Sequence, residues 1–189
     1  MRLRSALCGL TLAVCAVGQA APTAAGEPTL EQQPDPAIAT FRDGIAACAM
    51  EQWSDEALAA KGFQHGAHYS LRSPGQRVQT YDKVGGGDGL SLHSSLLVYI
   101  ACSTGVDIGG PTAFEPTRDA LVKELGLIQA PLKELKFSES AKAFLEVQEI
   151  DPANISYVNE TYAFIFGFRQ FNGRNRMFVN VVRREKVTQ

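Results

Sequence analysis

The sequence predicts an α+β domain: a four-stranded, mainly antiparallel sheet with helices packed on one face. Three features of the chain lead there. Residues 162–168 and 177–182 are β-rich runs on either side of Asn172-Gly173, and a type I′ hairpin turn needs φ > 0 at both central positions, which Asn and Gly tolerate best. Residues 90–103 alternate apolar and polar side chains with the period of a half-buried strand. Segments of helical period precede each strand pair and offer a cover for an apolar sheet face. The order helix, short helix, two strands occurs twice, so two similar ααββ halves are expected, about residues 36–105 and 106–189.

Residues 1–20 read as a cleavable export signal. Arg2 and Arg4 make a basic start, residues 6–17 are apolar, and Gly18-Gln-Ala20 places small residues where a signal peptidase cuts. The apolar run is shorter than the ~20 residues of a membrane span. Lipidation of Cys15 wants a small residue before the cysteine, and Val14 stands there. Residues 21–35, rich in Ala, Pro, Gln and Glu without hydrophobic period, read as a disordered spacer. A single domain is expected over residues 36–189, long enough to bury a core without a metal.

Asp35-Pro36 suits a helix start, with a capping side chain and a proline at the first helical position. Ile38, Phe41, Ile45 and Cys48 follow as one apolar stripe, which puts Cys48 on the buried face. Ser54 caps a short helix to Lys61, stopped by Gly62 with Phe63 folding back. Residues 65–77 read as loop and 78–84 as a strand. In the next strand Leu90, Leu92, Leu96, Val98, Ile100 and Cys102 are expected on the core side, with Ser91, His93, Ser95, Tyr99 and Ser103 on the other. Residues 106–113 read as loop and 116–125 as a helix ended by Gly126. Residues 127–137 fit no single template, 138–147 form a helix packing Ala141, Phe144 and Leu145, and Asp151-Pro152 turns toward the hairpin. In the hairpin, Phe164, Phe166 and Phe168 face Val181, Val179 and Met177 on one apolar side, and Arg169 opposes Arg176 on the other.

Without Arg2 and Arg4 the chain carries 16 basic and 20 acidic residues. Residues 21–157 hold 10 basic and 18 acidic, and residues 158–189 hold 6 basic and 2 acidic. A net-acidic chain with one basic end lacks the broad basic surface of a nucleic-acid binder.

Cys48 and Cys102 both fall on faces expected to meet. In an exported protein such a pair reads as a disulfide, one that closes its loop with a stabilisation of ~4 kcal/mol in the chain-entropy model. The histidines are His65, His68 and His93; a metal could use the short His65–His68 spacing with a distant third ligand, but no helix fixes that pair, and surface roles are expected. Gly85-Gly-Gly-Asp-Gly89 lacks the Lys-Ser/Thr ending of a phosphate loop. Gly89-Leu-Ser-Leu-His93 misses the last glycine of a nucleophile elbow, and Ser140-Ala-Lys142 reads as a solvated helix face. Asn154-Ile-Ser156 and Asn159-Glu-Thr161 fit the glycosylation pattern, relevant only in a eukaryotic secretory pathway. Arg169, Arg174 and Arg176 gather at the hairpin tip, where the Arg169/Arg176 repulsion invites an anion or a carboxylate-bearing partner; the same charges also guard the sheet against pairing with other chains.

Phe41-Arg-Asp-Gly-Ile-Ala-Ala-Cys48, Gly62-Phe63 and Ile100-Ala-Cys102-Ser-Thr together resemble a group of short exported bacterial proteins of unknown function, with a helix-borne and a strand-borne cysteine. The resemblance covers about a third of the chain and implies a periplasmic address. The expected role is a periplasmic or secreted, non-catalytic binding module without cofactor, meeting a protein or anionic partner at the hairpin tip, with weak self-association as a variant. The alternative is an enzyme or small-ligand or metal-binding protein whose site is assembled only in three dimensions.

Overall fold

A computed structural model describes residues 36–70, 76–85, 88–95, 98–151 and 153–185. The stretch read as an export signal, Cys15 and the stretch read as a spacer lie outside the described residues. The strands are β1 Phe63–Ser70, β2 Gln76–Lys83, β3 Leu90–Ser95, β4 Val98–Asp107, β5 Ile128–Pro131, β6 Ile155–Val158, β7 Tyr162–Phe171 and β8 Arg174–Arg183. The helices are α1 Pro36–Cys48, α2 Asp55–Ala60, α3 Phe114–Glu124 and α4 Glu139–Val147.

The expectation of a four-stranded sheet is wrong. One eight-stranded sheet runs in the order β1-β2-β3-β4-β8-β7-β6-β5, with every pairing antiparallel. Two four-stranded meanders meet at the β4·β8 pair, so the repeated ααββ unit is also corrected. The missed strands share a reason: they carry no alternation of their own. β1 is an edge strand whose register shifts between His65 and His68, and such a bulge breaks the period-2 pattern. It occupies much of the stretch read as loop. β5 is four residues long and ends at Pro131, as suits an edge. The long run from Leu90 is two strands, because the chain reverses within it without a Gly or Pro to mark the turn.

Helices cover both faces of the sheet, not one. On the first face α1, α2 and α3 bring Phe41, Ile45, Leu58 and Leu121 against Leu92, Cys102, Phe164, Val179 and Val181. On the second face α4 brings Ala141, Phe144 and Leu145 against Ile100, Ala101, Ala163, Ile165 and Val182. Hairpin strands with apolar residues on both sides require this. α2 begins as its sequence suggests, with Ser54 Oγ accepting from Ala57 N at 3.2 Å. Ser138, read as the first helical residue, instead caps α4, its Oγ accepting from Ala141 N at 3.2 Å.

Two local features decide which side chains each face of the central strands presents. The β7–β8 register is the expected one, Phe164↔Val181 through Phe168↔Met177 to Arg169↔Arg176, about a turn with Asn172 at φ 48° and Gly173 at φ 75°. In β4 the alternation fails: His93 pairs with Ala101 and Ser94 with Tyr99, which leaves Ile100 as an extra residue. That bulge turns Ile100 to the α4 side and Tyr99 to the Cys102 side, the reverse of the sequence-based expectation for both. Cys102 keeps its place and forms a disulfide with Cys48, joining the end of α1 to mid-β4 across a Cα–Cα distance of 5.2 Å. Among the described residues no helix is long and apolar enough to cross a membrane.

Candidate functional site

α4 covers only part of the second sheet face. From beneath α4 to beyond its end, four registered rows cross β4, β8 and β7: Ala101–Val182–Ala163, Ser103–Asn180–Ile165, Gly105–Phe178–Gly167 and Asp107–Arg176–Arg169. The first row is apolar and lies under α4. The next two carry Ser and Gly in place of bulky side chains, and Ser91 extends the Ser103 row onto β3. Small residues on an interior stretch of sheet leave a hollow. It measures about 480 Å³ and is bordered by Gln148 at the end of α4 and by Arg169 and Arg176 at the hairpin end. Ligand pockets generally fall between about 300 and 1,000 Å³.

Ile165 is buried with the α4 cluster, so among the described residues Phe178 is the large apolar side chain that lines the hollow, and the glycines beside it set its pose. A Cβ on Gly167 would lie 2.3 Å from Phe178 Cζ, so the ring lies across β7 in space that only a glycine leaves open. A Cβ on Gly105 would lie 3.0 Å from Arg176 Nε, so the Arg176 side chain leans across β4 in the same way. From there Arg176 donates to Asp88 at 2.9 Å and to Asp107 at 3.4 Å, while Arg174 reaches Asp107 at 3.4 Å. The carboxylates that relieve the Arg169/Arg176 opposition at Arg176 are thus the chain's own. Arg169 differs: its guanidinium sits 5.9 Å from the Phe178 ring centroid. It is exposed and has no carboxylate partner among the described residues.

A buried polar line forms the inner wall. Ser103 Oγ donates to Asn180 Oδ1 at 2.6 Å. A hydroxyl has one proton to give, so His93 Nε2, 3.0 Å from the same Oγ, carries the proton and donates to it. His93 Nδ1 is then an acceptor, buried and without a partner among the described residues. The ring is 6% exposed and packs 4.7 Å from Phe144; burial lowers its pKa to about 4, so the imidazole is neutral near pH 7. A serine nucleophile needs a base that takes its proton. Here the protons run the other way, from histidine to serine to asparagine.

The other sequence candidates disperse. His65 is in β1, not in a loop, 5.6 Å from the Tyr81 ring, and its pairing with Tyr81 sets it on the face opposite His93. His68 is in β1 by backbone, with its side chain outside the described part. His93 is buried, not a surface residue. Among the described residues no group of three or more His, Cys, Asp or Glu is placed to hold a metal ion. Asp88 and Asp107, which engage the arginines, escaped the sequence reading because they are 88 and 69 residues from Arg176. The alternation that set Ser91, His93 and Ser103 on one side of a strand was the available signal for the cleft.

Compared with protein-family models, with curated proteins and with solved structures, the chain finds no match. The resemblance to short exported bacterial proteins therefore rests on its residues alone, of which the Cys48–Cys102 pairing is the part seen in the structure.

Proposed function

We propose that the protein is an exported, periplasmic or secreted binding module, not an enzyme, whose cleft receives an anionic group of its ligand or partner at Arg169. The observation that carries this is the uncovered pair of rows, Ser103–Asn180 and Gly105–Phe178–Gly167, ending at an arginine with no carboxylate partner among the described residues. A bidentate carboxylate on a guanidinium is among the stronger polar contacts available at a surface. Export is supported by the N-terminal pattern and by a buried disulfide, a bond that persists in oxidising compartments. The hairpin-tip arginines contribute unequally: Arg174 and Arg176 are held by Asp107 and Asp88, so Arg169 is the cation open to a newcomer. Weak head-to-tail self-association, one copy's Arg169 against another's acidic surface, is a variant of the same chemistry.

The enzyme alternative has one observation in its favour, the His93–Ser103–Asn180 line beside the cleft, and its proton directions argue against an activated serine. The test titrates the protein with an oligoglutamate peptide at low and at high salt, comparing Arg169→Ser with Arg174→Ser. Binding is expected to weaken with salt, since the Debye length is ~8 Å at physiological ionic strength. Arg169→Ser should remove most of it and Arg174→Ser little. Equal binding by the wild type and Arg169→Ser at low salt would overturn the proposal.

A further inference from the structure

The chemistry of the cleft beyond Arg169 narrows the ligand, and this step rests on the reading that the cleft receives an anion. We infer that the cleft binds a small sugar acid of the uronate type: a saturated ring bearing one carboxylate and several hydroxyls. The groups left over after the protein satisfies itself match such a molecule. Among the described residues, the Ser91 hydroxyl, the Gln148 side-chain amide and Asn180 Nδ2 line the cleft without a hydrogen-bond partner. Asn180 is 4% exposed and its Oδ1 is committed to Ser103, which fixes the amide and leaves the nitrogen as a donor. These groups both give and accept hydrogen bonds, as a polyhydroxylated ring requires. Phe178 supplies the one apolar surface, suited to the C–H face of a pyranose, and Arg169 above it supplies the carboxylate partner.

An acidic peptide fits less well. Peptides gain affinity on sheets by pairing their main chain with an open edge. On the floor β3, β4 and β8 are paired on both sides, and β7 pairs with β6 only at Ala163 and Phe164. The open main chain among the described residues, 165–171 of β7, therefore offers its hydrogen bonds in the plane of the sheet and not up into the cleft. Among the described residues the cleft also offers one large apolar side chain, Phe178, and no apolar pocket for a side-chain anchor.

The experiment is an NMR titration of the isolated protein with glucuronate, glucose and glutarate. Glucuronate, with both carboxylate and hydroxyls, is expected to bind at least about tenfold more tightly than glucose or glutarate, a preference of about 1.4 kcal/mol. Arg169→Gln should erase the advantage over glucose. Ser91→Ala should weaken both sugars and leave glutarate unchanged. Glutarate binding as tightly as glucuronate, or glucose as tightly as glucuronate, would overturn the sugar-acid assignment; the first result leaves the anion reading standing. Failure of both glucuronate and glutarate to perturb Arg169 and its neighbours would overturn both.

Discussion

Phe178 owes its pose to its neighbours in register, glycine on either side. Gly167→Ala places a methyl 2.3 Å from the ring's far end, and the ring must swing off β7 into the cleft. The ring is half-buried and the methyl meets its far end, so the expected stability loss is modest, about 1 kcal/mol, with a larger loss in binding of a carboxylate probe. Gly89→Ala should cost more in chemical denaturation, about 3 kcal/mol, because the obstacle there is the Tyr81 carbonyl at 2.1 Å, which cannot swing aside. His93 sets a pH dependence of known sign. Its pKa falls from 6.5 to about 4 on folding, so between those values the unfolded chain binds the proton and the folded chain does not. Stability therefore declines as pH drops from 6.5 toward 4, by about 3 kcal/mol in all. Denaturation midpoints across that window should show the decline in the wild type and a shallower one in His93→Gln.

The disulfide fastens the helix that covers the first face to the centre of the sheet. Its partners are 54 residues apart and fully buried. Removing the crosslink in Cys48→Ala/Cys102→Ala should cost about 4 kcal/mol by loop-closure entropy, read from urea unfolding without reductant. α4 does the equivalent work on the second face without a crosslink. Phe144 is fully buried against the sheet and His93, so Phe144→Ala should cost about 3–5 kcal/mol and loosen the wall of the cleft. These elements were legible where a local rule sufficed: a stripe of Ile38, Phe41, Ile45 and Cys48, a capping Ser54, an Asn172-Gly173 turn. β1 and β5 were not, because edge strands are defined by a partner's hydrogen bonds and not by their own pattern. The Ile100 bulge was hidden for a related reason. Both Tyr99 and Ile100 are hydrophobic enough for either face, so only the pairing with β3 decides which side each takes.

Across the molecule, helices cover the first face of the sheet but leave the hairpin end of the second uncovered, and Arg169 lies there without a carboxylate partner among the described residues. The sequence located the basic end at residues 169–176, yet it could not show that Asp88 and Asp107 neutralise two of the three arginines, because those contacts join residues 67 to 88 positions apart. Nor could it show the hollow, which arises from Ser103, Gly105 and Gly167 lining up across strands distant in sequence. Whether those rows receive an anion can be read from a single map: amide resonances followed over the whole chain as glutarate is added at low salt. Perturbations are expected to concentrate at Gly105, Gly167, Arg169 and Phe178 and to fade as salt is raised. Perturbations centred instead on the groove between α1 and α3, around Pro116 and Leu121, or along the β1 edge, would contradict the assignment of the cleft.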